Sequence, residues 1–323
     1  MKHSWKPGIL AIVILVLLIS GCSSPTEIPI QVVNTPAETA IPVLPTDTPE
    51  PPPTATEIPA PTSLPGIQVL PIDTLAEEMP WLPYDKSAVP GVYYFLFNTE
   101  IPPFNNDLVR KAFASAVDRD VLMEITMTLY GNSIPNFNPH PATNLTPPEI
   151  LGRDVFNEIG LVYDPSAAKD YFTQAGYEDA SGFPEVTMLV NVGGTTAPGY
   201  NIKMAETAAA LWKEHLGVVV NVVYTHTWQD YLDRLHNDAP EIVKVFWVAD
   251  YNDPNNFLRD LFASDSEFNR GNYSNPAFDE LVYKAAEITD PVERQLLYLE
   301  AEKLLCEIDA AVIPIYHATY NIQ

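Results

Sequence analysis

The stretch FWVADYNDP, from Phe246 to Pro254, followed by Asn255, Asn256, Phe257 and Leu258, decides how this chain is read. Residues Ile242 to Val248 form a run of β-branched and aromatic side chains that suits a buried strand. Side chains alternate across a strand, so Val243, Val245 and Trp247 face one side and Ile242, Lys244, Phe246 and Val248 the other. Lys244 is then the charged interruption of an otherwise apolar element. Just past the strand an acid, an aromatic, an amide and a proline crowd together before a helix starts. Strand ends of this kind are well placed to meet a ligand.

Residue types alone leave two readings of Asp250 open. A carboxylate set between Trp247 and Tyr251 makes a receptor for an ammonium group, through ion pairing and cation–π contact. Asp is equally at home in turns, and Asp253 before Pro254 is a ready helix N-cap, so Asp250 can also serve to close the turn.

The run FWVADYNDPNNFLRDLFAS, with NYSNPAFDELV after it, resembles the oligopeptide-binding proteins of bacterial ABC importers, the family-5 extracellular solute-binding proteins. The resemblance extends to YYFLFNTEIPPFNNDLVRKAFASAVDRDVL (Tyr93 to Leu122), YDPSAAKDYFTQAGY (Tyr163 to Tyr177) and DPVERQLLYLEAEKLLCEIDAAVIPIY (Asp290 to Tyr316). It covers roughly residues 90 to 320, far more than a short motif arising by chance. The resemblance implies an α/β fold of the periplasmic-binding-protein-like type II class, with a mixed sheet covered by helices. It implies further that Asp250 receives the N-terminal amine of a bound peptide. Trp228, in the segment THTWQDYLD, is similar to a cleft tryptophan of the family, and Trp247, Tyr251 and Asn252 complete the expected ligand-facing set. Lys244 adds a candidate contact for the peptide carboxylate where the family can carry arginine; lysine lacks arginine's bidentate fork. The family is two-lobed, and here a leader and a linker stand where its large N-terminal portion would be. The expectation is therefore a single lobe at residues 67–323, best matched over 90–320.

Upstream, Lys2 and Lys6 precede an apolar run from Ile9 to Ile19, then Ser20, Gly21 and Cys22. That run is short for a membrane span and ends in small residues, as a cleaved signal does. Ile19-Ser20-Gly21-Cys22 resembles the bacterial lipobox, which implies a signal peptide at residues 1–21 and a diacylglycerol on Cys22. Residues 22–66 read as a disordered Pro/Thr-rich linker, typified by TDTPEPPPTA from Thr46 to Ala55; proline density favours extended polyproline II, so a semi-rigid spacer is expected.

Within the lobe, the pattern predicts a strand at Val92 to Asn98 and a helix opened by Asp107. A second helix runs from Asp164-Pro165 to Gly176, followed by a strand at Val186 to Val192. It then predicts a helix at Ile202 to His215, a strand at Val218 to Tyr224, and Trp228, Tyr231 and Leu235 on one helical face. Helices at Pro276 to Ile288 and Asp290 to Ile308 follow, with a strand at Val312 to Tyr316. Strands alternating with helices indicate an α/β sheet.

The chemistry that is missing narrows the function. A net charge of −25 over 323 residues argues against nucleic acid and against anionic lipid, both of which need clustered cations. There is no Gly-rich phosphate loop, no closely spaced His/Cys metal set and no GxSxG elbow, so no enzyme, cofactor or metal site is expected. Of the 2 cysteines, Cys306 falls beside a buried helix face and reads as a packed thiol. His140, in a proline-rich loop, reads as a surface residue. The sequons at Asn144 and Asn272 read as coincidental. The expected partners are an oligopeptide, ABC permease subunits, the membrane through the lipid anchor, and a separate chain supplying the other lobe. The expected location is the outer face of the bacterial cytoplasmic membrane, or the periplasm. A non-binding gene remnant, acting at most as a surface-anchored interaction lobe, remains the alternative.

Cys22→Ser is expected to leave unprocessed precursor, read by mass spectrometry of the isolated protein. A mature N-terminus elsewhere, without acyl chains, would contradict the anchor.

Overall fold

The computed structural model describes residues 88–131, 137–193 and 198–321, all within one unit spanning 68–323. The expected signal peptide, Cys22 and the linker lie outside the described residues.

Strand β1 (Ala88–Phe97) and strand β5 (Ile242–Val248) pair antiparallel along seven consecutive positions, from Gly91 opposite Val248 to Phe97 opposite Ile242. Gly91 lets the backbones meet there: a Cβ at this position would lie 2.8 Å from the Trp247 carbonyl oxygen. On its other edge β1 pairs antiparallel with β6 (Val312–Asn321), which also pairs with the two-residue β2 (His140–Pro141). Beyond β5 lie β3 (Val186–Asn191) and β4 (Val220–Thr225), parallel to one another, giving the order β2-β6-β1-β5-β3-β4. The sheet is mixed, as expected.

Both faces are covered. On one, Ile242 and Phe246 join Tyr93, Phe95, Phe113 and Trp212, packed under helices α1 (Asp107–Ser115), α2 (Arg119–Thr126), α4 (Pro165–Gln174) and α5 (Pro198–Leu216). On the other, Val243, Val245 and Trp247 join Tyr94, Leu96, Phe257 and Phe278, under α6 (Trp228–Asn237), α7 (Arg259–Phe262), α8 (Pro276–Glu287) and α9 (Pro291–Lys303). The alternation read along Ile242 to Val248 is the one the core uses. The remaining short helix, α3 (Pro148–Leu151), lies in the proline-rich loop.

Local chemistry fixes most helix starts. Asp164, Asn275 and Asp290 accept hydrogen bonds from backbone N–H groups of the first turns of α4, α8 and α9, each with proline in the first turn. Gly176 and Gly217, at φ of 99° and 74°, stop α4 and α5 in the left-handed region. Several boundaries differ from the sequence expectation. Asn106, not Asp107, caps α1. Helix α5 begins at Pro198, β4 begins only at Val220, and β6 runs on to Asn321. The helix expected to reach Ile308 ends at Lys303 and finishes as a π-turn, Leu304–Ile308, which carries the buried Cys306.

The segment 142–146 is tied down by buried polar side chains. Glu302 accepts from the N–H groups of Leu145 (2.8 Å) and Thr146 (2.7 Å), and Arg119 Nε donates to the carbonyls of Ala142 (2.7 Å) and Pro314 (2.8 Å). His317 Nε2 lies 3.0 Å from the Asn144 carbonyl. Glu302→Ala strands two buried donors, so we expect a loss on the order of 3 kcal/mol in urea unfolding. An unchanged midpoint would contradict this account of how the segment is held.

Candidate functional site

Strand β5 has unequal edges. It is paired to β1 throughout, yet to β3 only through Met188 opposite Ile242 and Leu189 opposite Val243. Beyond Val243 the two strands separate, and a cavity of about 660 Å³ opens there. The Tyr231 hydroxyl donates to the Lys244 carbonyl at 2.8 Å, filling one position of the edge that β3 has left.

The walls are mostly aromatic. Trp247, Phe268, Trp228, Tyr231, Tyr94 and Phe262 line one side, and Tyr93, Phe246, Tyr200 and Tyr316 the other. Trp228 is 52% exposed and stacks on buried Tyr231 with ring centres 5.2 Å apart. Trp247 meets Phe268 edge to face at 6.0 Å. Polar groups are few: Asn191, Asn201, Lys244, Arg270 and the tyrosine hydroxyls. Such a mixture, apolar walls with a few convergent polar groups, is characteristic of small-ligand sites.

At the cavity floor Lys244 is buried, its Nζ 3.4 Å from Asn191 Oδ1 and 5.0 Å from the centre of the Tyr93 ring. Burial pushes its ammonium down from the ordinary lysine range to about 7. The Tyr93 hydroxyl is buried without a hydrogen-bond partner among the described residues.

The expected site residues divide into two groups. Trp228, Trp247 and Lys244 line the cavity, whereas Asp250, Tyr251 and Asn252 occupy the adjoining turn, outside the lining. Asp250 is exposed, and its carboxylate makes no hydrogen bond to a described residue. The helix-capping role falls to Asp253, which accepts from Asn255 N–H and holds Arg294 through two bonds of 2.5 and 2.8 Å. Tyr251 turns to Asp260, donating to it at 2.5 Å.

Asn256 was not singled out in the sequence, although it organises the turn. Buried at the end of the short Pro254–Asn256 3₁₀ turn, its Oδ1 accepts from the Trp247 indole (3.1 Å) and from the Asp250 backbone N–H (2.9 Å). One side chain thus fixes the orientation of an aromatic wall and the position of the carboxylate beside it. The signal available was an amide directly after Asp-Pro-Asn, where a second Asn is easily read as one more turn residue.

Residues 53–269 match the family described as bacterial extracellular solute-binding proteins, family 5, middle region. The chain belongs to this family. The family match begins within the Pro/Thr-rich stretch and stops before α8. The periplasmic oligopeptide-binding protein OppA of Escherichia coli K12 is 32% identical over 232 residues, covering 70% of this chain and 39% of OppA. The dipeptide-binding protein of Pseudoalteromonas sp. SM9913, solved in complex with Met-Leu, superposes with a TM-score of 0.59 at 27% identity, covering 73% of this chain and 46% of that one. A structure described as a peptide ABC transporter, peptide-binding protein, superposes with a TM-score of 0.58 at 29% identity, covering 71% of this chain and 99% of the other. The chain spans less than half the length of the curated relatives it matches. These family-5 relatives are named for binding, not for catalysis. Among the described residues no helix is long and apolar enough to cross a membrane, and no group of His, Cys, Asp or Glu is set to hold a metal ion.

Proposed function

We propose that this chain is the substrate-binding component of an ABC importer for oligopeptides, or one lobe of it, with Asp250 receiving the peptide's α-ammonium. The observation that carries the reading is the open edge of β5: past Val243 no described strand pairs with it on the β3 side, and it borders the cavity and delivers Asp250 just beyond its end. An extended peptide laid along such an edge gains main-chain hydrogen bonds, while flanking pockets receive alternate side chains. Trp247 and Trp228 bound the side-chain space, Tyr251 and Asn252 stand on the rim, and Lys244 faces the carboxylate. Anchoring through Cys22 and the Pro/Thr-rich linker would place the lobe at the outer membrane face or in the periplasm, within reach of permease subunits.

Affinity should be weak for this chain by itself. Asp250 is exposed, and an exposed ion pair contributes only about 0.2–1 kcal/mol. Closure of a second lobe over the site would exclude water and strengthen the pair. A second reading, an interaction lobe that no longer captures ligand, is favoured by one feature: Trp228, Val248 and Phe268 stand exposed on the cavity lining.

Calorimetry with tri- to pentapeptides, with and without a free N-terminus, separates the two. We expect millimolar binding that is lost on N-acetylation and in Asp250→Asn, and markedly tighter binding once a complementary lobe is added. Micromolar binding by this chain alone refutes the weak-lobe argument. Binding indifferent to Asp250→Asn removes the role given to Asp250.

A further inference from the structure

The cavity floor holds a basic group with no acidic side chain beside it among the described lining residues. Lys244 is 5% exposed, its Nζ approaches Asn191 Oδ1 at 3.4 Å, and none of the described residues lining the cavity is an aspartate or a glutamate. The titratable and charged groups that share the cavity come from every element around it: Tyr93 and Tyr94 from β1, Tyr200 from α5, Tyr231 from α6, Tyr316 from β6, and Arg270 from the segment before α8. Burial holds Tyr93, Tyr94 and Tyr231 in the neutral form, and arginine stays positive, so none of these four offsets an ammonium. A buried ammonium without an anion sheds its proton at far lower pH than an exposed one.

We infer that the cavity captures a ligand carboxylate together with a proton, which the buried amine of Lys244 takes up as the carboxylate arrives. The inference rests on the peptide-binding reading of this cavity and adds the protonation that accompanies it. The proton comes from solvent and settles on Nζ; no other bond forms or breaks. The shift of the Lys244 ammonium to about 7 agrees with this and fixes the direction of the pH dependence. Below about pH 7 the amine is already charged and affinity is flat. Above it each pH unit costs about tenfold, because the proton must be drawn from ever scarcer supply. An arginine in this place would stay charged throughout and show none of this.

The test uses the whole chain with lysines labelled at the ε-carbon, and the tripeptide Ala-Leu-Ala or its C-terminal amide as probe. In the empty protein the Lys244 signal is expected to titrate near pH 7. Ala-Leu-Ala should move that midpoint up by more than about two units, since a charge partner in a dry site favours the ammonium, and the amide should not. The peptide's own amine titrates near pH 8, and Lys244→Arg keeps that dependence. The dissociation constant of wild type relative to Lys244→Arg should therefore grow by about 30-fold between pH 5.5 and 8.5. The wild-type signal needs no variant, so the test survives if Lys244→Arg does not fold. A constant ratio, or a midpoint that does not move on binding, overturns the proton coupling and leaves peptide capture standing. An amide that moves the midpoint as far as the acid does the same. Failure of Ala-Leu-Ala to bind at any pH overturns the peptide reading and the coupling with it.

Discussion

The site depends on one asymmetry in backbone pairing. Strand β5 is held along its whole length by β1, and by β3 only at Ile242 and Val243. A strand that keeps both neighbours to its end leaves no room for a ligand, and one that loses both frays. With β1 fixed and β3 diverging, β5 is rigid and still has an open edge. The aromatic walls, the buried lysine and the turn bearing Asp250 all follow from where that edge opens.

The same asymmetry accounts for the unusual polarity of the floor. Lys244 lies on the face of β5 that otherwise builds the core with Tyr93, Phe95 and Trp212, and a position of that kind favours an apolar residue on stability grounds alone. Burying a lysine with no acidic neighbour and a Tyr93 hydroxyl with no hydrogen-bond partner among the described residues is costly, and both residues border the cavity that β3 uncovers. A buried polar group that borders a cavity is the pattern expected where a ligand completes the hydrogen bonding.

Much of this was legible in the sequence because the signals were local. The alternation from Ile242 to Val248, the Asp-Pro helix starts at Asp164 and Asp290, and the glycine stops at Gly176 and Gly217 depend on neighbours a few residues away, and the structure uses all of them. What was missed depends on contacts distant in sequence. The separation of β3 from β5 has no mark in either strand. Asn256 bridges Trp247 and Asp250, which requires the turn to be folded before its role exists. Glu302 reads as one more surface acid until Leu145 and Thr146 are brought to it from across the chain. Of the expected ligand set, Trp228, Trp247 and Lys244 line the cavity, and Asp250, Tyr251 and Asn252 stand beside it.

The open edge of β5 is the claim on which the rest turns, and amide hydrogen exchange reads it directly. Along a strand, successive amides point to opposite edges, so only alternate residues between Lys244 and Val248 face β1. The account predicts an alternating pattern in the empty protein, with the β1-facing amides protected and those between them exchanging fast, and protection of the fast set when Ala-Leu-Ala is added to saturation. Uniform protection of the whole strand in the empty protein, unchanged by peptide, would contradict it.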